Sequence, residues 1–199
     1  MLVAVTGRSG CGKSEVSQYY ANCGYKVIDC DKISKQILSE NEDVINKLSE
    51  AFGSDILDEN GKIIPNALAA KAFLEKDEAE KLTNITHPAI IARILNLTEN
   101  CKNSIVFVDG AVIIGELFEK YCDKFIVVTA RQSDCISRIV LRDGISRQAA
   151  ENRLAVQKST EELKSKADYI IENKGNKEQL IIQAKLILKL LNKVINDKK

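Results

Sequence analysis

One short string constrains this chain more than anything else in it. Gly7-Arg8-Ser9-Gly10-Cys11-Gly12-Lys13-Ser14 has the form G-x-x-x-x-G-K-[ST] and follows directly on the apolar run Leu2–Thr6. Such a string works only with a strand before it and a helix after it, because the backbone must bend around an anion and then present helix amides to it. The glycines permit the bend, and successive N–H groups converge on phosphates. Lys13 supplies a compact charge to the β- and γ-phosphates, and the Ser14 hydroxyl completes a Mg²⁺ shell around the nucleotide. The motif therefore predicts a buried strand over 2–6, a helix over 13–22, and a nucleoside triphosphate such as ATP as ligand. Glu15, just beyond the loop, joins the candidate nucleotide-binding residues.

The rest of the chain alternates short β-branched runs with longer amphipathic stretches. Strands are expected over 25–29, 104–109, 124–129 and 168–172. Continuous Val/Ile runs imply strands covered on both faces, as in parallel sheets, and helices between them give the doubly wound α/β class. The stretch 31–103 is too long for one crossover and is mostly helical in pattern, with helices expected over 77–84 and 88–100. Pro88 is placed to open the second of these, with His87 just before it. It predicts a helical subdomain inserted at the C-terminal edge of the sheet. In 133–166, rich in Arg and Lys, Asp143-Gly144 separates two helices, the second capped by Ser146. A last apolar helix over 177–195 closes one face.

Composition narrows the function classes. The 199 residues are 45% apolar and 29% charged, and the net charge is +1. That balance argues against a nucleic-acid binder acting through bulk positive charge. No apolar run is long enough to span a bilayer, and the start MLVAVTGRSG lacks a charged n-region, so the expectation is a cytoplasmic protein. The six cysteines contain no CxxC spacing and are expected to be mostly small buried residues. A single histidine leaves no His-based triad. None of the Asn-Lys pairs at 46, 173, 176 and 192 has Asp two places beyond the lysine, which removes the GTPase signature.

A kinase needs an acceptor site, an orienting carboxylate and arginines that close over phosphates. Asp29-Cys30-Asp31 ends the second strand, at the edge where open α/β sheets bind ligands. The two carboxylates share a face if the strand persists and are split by a turn; a strand-end Asp can also cap the next helix. Asp109, ending the third strand, can hold magnesium through water. Arg138, Arg142, Arg147 and Arg153 are the arginine candidates, and a solvated basic face is the competing reading.

These residues together resemble the dephospho-CoA kinase family. The resemblance runs from the first strand to about Gly175 and rests on VIDCDKIS, FGSDILDENGKI, ITHPAI, SRIVLRDG, RLAVQ and KADYIIENKG, in that order after the phosphate loop. It implies a P-loop kinase fold: a doubly wound five-stranded parallel sheet with an inserted helical substrate domain and a lid. The core then spans about 1–30, 104–142 and 158–199, the acceptor-side insertion about 31–103, and the lid about 143–157, all in one domain. It implies phosphorylation of the ribose 3′-hydroxyl of dephospho-CoA by ATP with Mg²⁺, the final step of coenzyme A synthesis. Asp31 is the implied base, Arg142 faces the nucleotide from the lid, Asn173 lies near the adenine, and His87 binds the acceptor or packs. Small-molecule substrates are the implied partners, with neither nucleic acid nor membrane.

This chain departs from that pattern at several positions. Arg8 stands where the family usually has glycine, and Glu15 where it has threonine. The acceptor-side P-L-L-F-E segment appears as Ala111 to Gly115, without its proline and with only Glu116 to replace its glutamate. Pro65 and Cys135 stand where arginine and glutamine are expected. The ATP side is nearly intact and the acceptor side is altered. A P-loop kinase acting on another nucleoside-type acceptor, or a nucleotide-binding protein with a decayed acceptor site, are the alternatives.

Overall fold

The computed structural model describes residues 1–101, 104–111, 113 and 118–197. Five strands, β1 (Leu2–Thr6), β2 (Lys26–Asp29), β3 (Val106–Asp109), β4 (Lys124–Ala130) and β5 (Tyr169–Asn173), form one parallel sheet in the order β2-β3-β1-β4-β5. The central position of β1 explains its sequence: all five of its residues are buried. The edge strands differ, and here the expectation of two-sided cover fails. On β5 only Ile171 and Asn173 are buried, while Ile170 and Glu172 alternate outward.

The chain forms two compact units, residues 1–29 with 100–199, and residues 30–99. In the first unit, Val3, Val5, Phe107, Ile126, Val128 and Ile171 pack one face of the sheet. They belong to one buried cluster that also takes in side chains of α1 (Lys13–Asn22), α6 (Gln132–Asp143), α7 (Arg147–Ala155) and α9 (Lys177–Asn196). Tyr20 of α1 stacks on Phe107 with ring centroids 4.0 Å apart, and its hydroxyl donates to the Ala184 carbonyl of α9 at 3.3 Å. Val127 packs with Leu163 of α8 (Thr160–Ser165) in a separate, smaller cluster. Ser146 caps α7 as its position predicts, accepting from the Ala149 amide at 3.1 Å.

The second unit holds α2 (Cys30–Glu40), α3 (Glu42–Phe52), α4 (Pro65–Ala72) and α5 (Lys76–Thr98). Its core draws on Ile33 and Ile37 of α2, Val44, Leu48 and Phe52 of α3, Leu68 of α4 and Ile94 of α5. Pro65 opens α4, where its missing N–H is harmless. Pro88 does not open a helix. α5 is one continuous helix with Pro88 inside it, correcting the two-helix expectation. Proline removes the bond to the Asn84 carbonyl, and its ring crowds that carbonyl. Asn84 and Pro88 are both exposed, so water can take that acceptor, while buried Thr86 and Ile94 anchor the turns on either side.

Three further expectations meet the structure here. β2 ends at Asp29 and α2 begins at Cys30, so a turn splits Asp29 from Asp31. All six cysteines are free thiols, but only Cys11 and Cys135 are buried and Cys23 is exposed, against the expectation of mostly buried residues. Of the segment 111–116, only Ala111 and Ile113 lie among the described residues. Ile113 is buried, and the Ala111 carbonyl accepts from the Thr6 hydroxyl at 3.4 Å.

Candidate active site

The chain connection after β1 runs to one side of the sheet and that after β4 to the other, which opens a crevice at their C-terminal ends. The glycine-rich loop emerges there. A Cβ on Gly7 would lie 2.2 Å from the Val128 carbonyl oxygen of β4, so no larger residue fits the first position. Gly12, at φ 105°, is the left-handed N-cap of α1, and a Cβ on it would lie 2.4 Å from Asn173 Nδ2.

Side chains from α6 and β5 hold the loop from behind. Arg138 Nη1 donates to the Gly10 carbonyl at 3.0 Å, and its Nη2 to Asn173 Oδ1 at 3.4 Å. Asn173, buried at the end of β5, donates from Nδ2 to the Cys11 carbonyl at 2.8 Å and accepts from the Gly175 amide at 3.0 Å. A trans peptide points its C=O and N–H in opposite directions. Tying back the Cys11 carbonyl therefore fixes the direction of the Gly12 N–H, at the mouth of α1. Carbonyl oxygens held behind and helix amides in front are what an anion cradle requires.

Lys13 is the first residue of α1 and Ser14 the second. Burial pushes the Cys11 thiol up from its ordinary range, and the Lys13 charge beside it partly opposes that rise. Glu15 pairs with Lys177 at the start of α9, Nζ to Oε2 at 2.5 Å. Asp109 lies in register with Val5 on one side and Asp29 on the other, so two carboxylates end neighbouring strands at the same edge. Asp31 is exposed in the first turn of α2, and His87 is half-buried within α5; both belong to the 30–99 unit.

Arg138 and Arg142 share a face of α6, yet their partners differ. Arg142 grips Asp143, Nε to Oδ1 at 2.7 Å and Nη2 to Oδ2 at 3.0 Å, and Arg153 bonds the same carboxylate. These arginines, Arg142 first, hold the Asp143 carboxyl down at about 2. The competing reading of a solvated basic face is wrong for Arg138, which the loop carbonyls engage. Gln157 ends the RLAVQ string, and the sequence assigns it no role. Its Oε1 accepts from the Ser9 amide at 2.9 Å and its Nε2 donates to the Ser9 hydroxyl at 2.8 Å. Nothing short-range in the sequence signals that contact.

Comparison with known proteins points to one family. The family model described as dephospho-CoA kinase matches residues 1–179. The dephospho-CoA kinase of Fusobacterium nucleatum is 39% identical over 180 residues, covering 90% of this chain and 93% of that protein. That of Aquifex aeolicus is 33% identical over 192 residues, covering 96% and 97%. Among solved structures, the dephospho-CoA kinase of Campylobacter jejuni superposes with a TM-score of 0.62 at 32% identity, covering 94% of this chain and 95% of that one. A Thermus thermophilus protein shares the fold with a TM-score of 0.83 at 24% identity, covering 96% and 97%. With a family match over nearly its whole length, the chain belongs to the dephospho-CoA kinase family of P-loop phosphotransferases.

Proposed function

We propose that this protein transfers the γ-phosphoryl group of ATP to the ribose 3′-hydroxyl of dephospho-CoA, releasing coenzyme A and ADP. The observation that carries the reading is the phosphate loop with its carbonyls tied back by Arg138 and Asn173, in a chain of this family. Asp31 takes the proton of the 3′-hydroxyl as that oxygen bonds to the γ-phosphorus and the bond to the ADP oxygen breaks. Lys13 balances charge on the β- and γ-phosphates. Arg142 exchanges the Asp143 carboxylate for phosphate oxygens, and His87 serves the acceptor side. A planar guanidinium suits that exchange because it meets carboxylate and phosphate with the same fork of donors.

The reaction implies magnesium, and the residues fit it. Ser14 and Asp109 offer hard oxygen donors, and among the described residues no three His, Cys, Asp or Glu side chains form a metal cage. That donor set suits an ion that keeps several waters and binds chiefly through phosphate oxygens. Ser14 and Asp109, the latter through water, would hold it, and its charge would offset that on the phosphates. The free thiols suit a reducing compartment, in line with a cytoplasmic location. Among the described residues no helix is long and apolar enough to cross a membrane.

Asp31→Asn tests the reading, because it keeps the shape of the side chain and removes its basicity. ATP affinity should survive while ADP release in the presence of dephospho-CoA falls by about 100-fold or more, the usual scale for a general base. Asp29→Asn, across the β2–α2 boundary, should be markedly milder. Equal effects of the two substitutions, or near-normal turnover by Asp31→Asn, would remove Asp31 from the role of base.

A further inference from the structure

A cation at the second position of a phosphate loop invites the assumption that it faces phosphate, but Arg8 is engaged elsewhere. Its Nη2 donates to the Leu154 carbonyl at 2.6 Å. Leu154 lies in the last turn of α7, where the helix dipole favours positive charge, and its carbonyl also accepts from the Gln157 amide at 3.2 Å. The next loop residue, Ser9, is held twice by Gln157, just past the end of the same helix. Three hydrogen bonds thus join two consecutive loop residues to the 154–157 segment. Arg8 Nε is buried and meets no acceptor among the described residues. An unpaired buried donor is unfavourable, so the surrounding structure holds the guanidinium in place against that penalty. Arg8 also lines a small cavity with Cys11, Thr129, Gln132, Cys135 and Thr160.

We infer that Arg8 is a positioning residue: with the Ser9–Gln157 pair it clamps the C-terminal end of α7 onto the phosphate loop, so that the loop's hold on ATP depends on the 147–157 segment. Arg8 then acts on the nucleotide through α7 and the loop backbone and does not need to touch it. The inference rests on the proposed function only in taking ATP as the ligand of the loop.

The test is hydrogen exchange of the 147–157 amides without nucleotide, paired with ATP affinity measured without acceptor. Arg8→Gly should speed exchange in that segment about tenfold and weaken ATP binding about tenfold. Arg8→Lys should recover most of both effects, since one ammonium N–H can still reach the Leu154 carbonyl. Gln157→Leu removes the companion contacts and should move exchange and affinity in the same direction, which decides the matter if Arg8→Gly does not fold. Wild-type exchange in both Arg8→Gly and Gln157→Leu overturns the clamp. Weaker ATP binding by Arg8→Gly with unchanged exchange also overturns it and makes Arg8 a direct phosphate ligand. Because neither readout involves the acceptor, failure of the wild-type protein to phosphorylate dephospho-CoA would sink the proposed function and leave the clamp standing.

Discussion

Asp143 gathers Arg142 and Arg153 on one carboxylate, and this has a consequence for pH dependence. Its folded-state value of about 2 lies below the ordinary 3.8, because the two arginines favour the ionised form. The stability that this gap contributes is fully present above about pH 4 and is lost as pH falls toward 2. Asp143→Asn should therefore lower the melting temperature by a constant margin between about pH 5 and pH 8, and the margin should shrink as the pH drops from about 4 to about 2. A margin that stays flat through that acid window would mean that the arginines gain nothing from the charge on Asp143. At this scale the sequence was only partly legible. Arg138 and Arg142 are four residues apart on one helix, yet one engages the Gly10 carbonyl and the other its own sequence neighbour. Helical spacing puts both on the same face and carries no information about what lies opposite each.

α5 carries its proline in mid-helix, at Pro88, next to His87. Relative to alanine, an interior proline is less favourable by about 3 kcal/mol, offset in part by the smaller entropy of the unfolded chain. Pro88→Ala should therefore stabilise the protein by roughly 1–2 kcal/mol in urea unfolding, since it restores the hydrogen bond to the Asn84 carbonyl. Local irregularities that persist against stability concentrate at functional sites. The same substitution should accordingly raise the KM for dephospho-CoA several-fold while leaving that for ATP unchanged. A more stable variant with an unaltered acceptor KM would make Pro88 irrelevant to the acceptor. Elements with strong local signals were legible: β1 and α1 lie at the residues that the loop motif predicts, and α7 begins at its Ser146 cap. The break expected at Pro88 did not occur, because a proline forbids one hydrogen bond and the remaining turns keep theirs.

For the molecule as a whole, ligand binding to the folded state is the global test. ATP at about 100 times its Kd should stabilise the protein by about 2.7 kcal/mol, which for a chain of this size raises the melting temperature by roughly 5–10 °C. The shift should occur without dephospho-CoA, because the loop and its supports Arg138, Asn173 and Gln157 lie within a single unit. No shift at millimolar ATP would remove the loop from nucleotide binding. The sequence alone determined the sheet's class, the positions of its strands to within a residue or two, and the loop that follows β1. Those features follow from side-chain periodicity, glycine placement and helix capping, all of which act between near neighbours in the chain. Only the tertiary structure decided which side chains hold the loop. Arg138 reaches Gly10 across 128 positions and Gln157 reaches Ser9 across 148. Those pairings exist because the strand order β2-β3-β1-β4-β5 sets β4 beside β1 and β5 next to it, bringing the segments attached to them around the end of β1. Short-range preferences have no means of encoding such distances; packing of the shared core does.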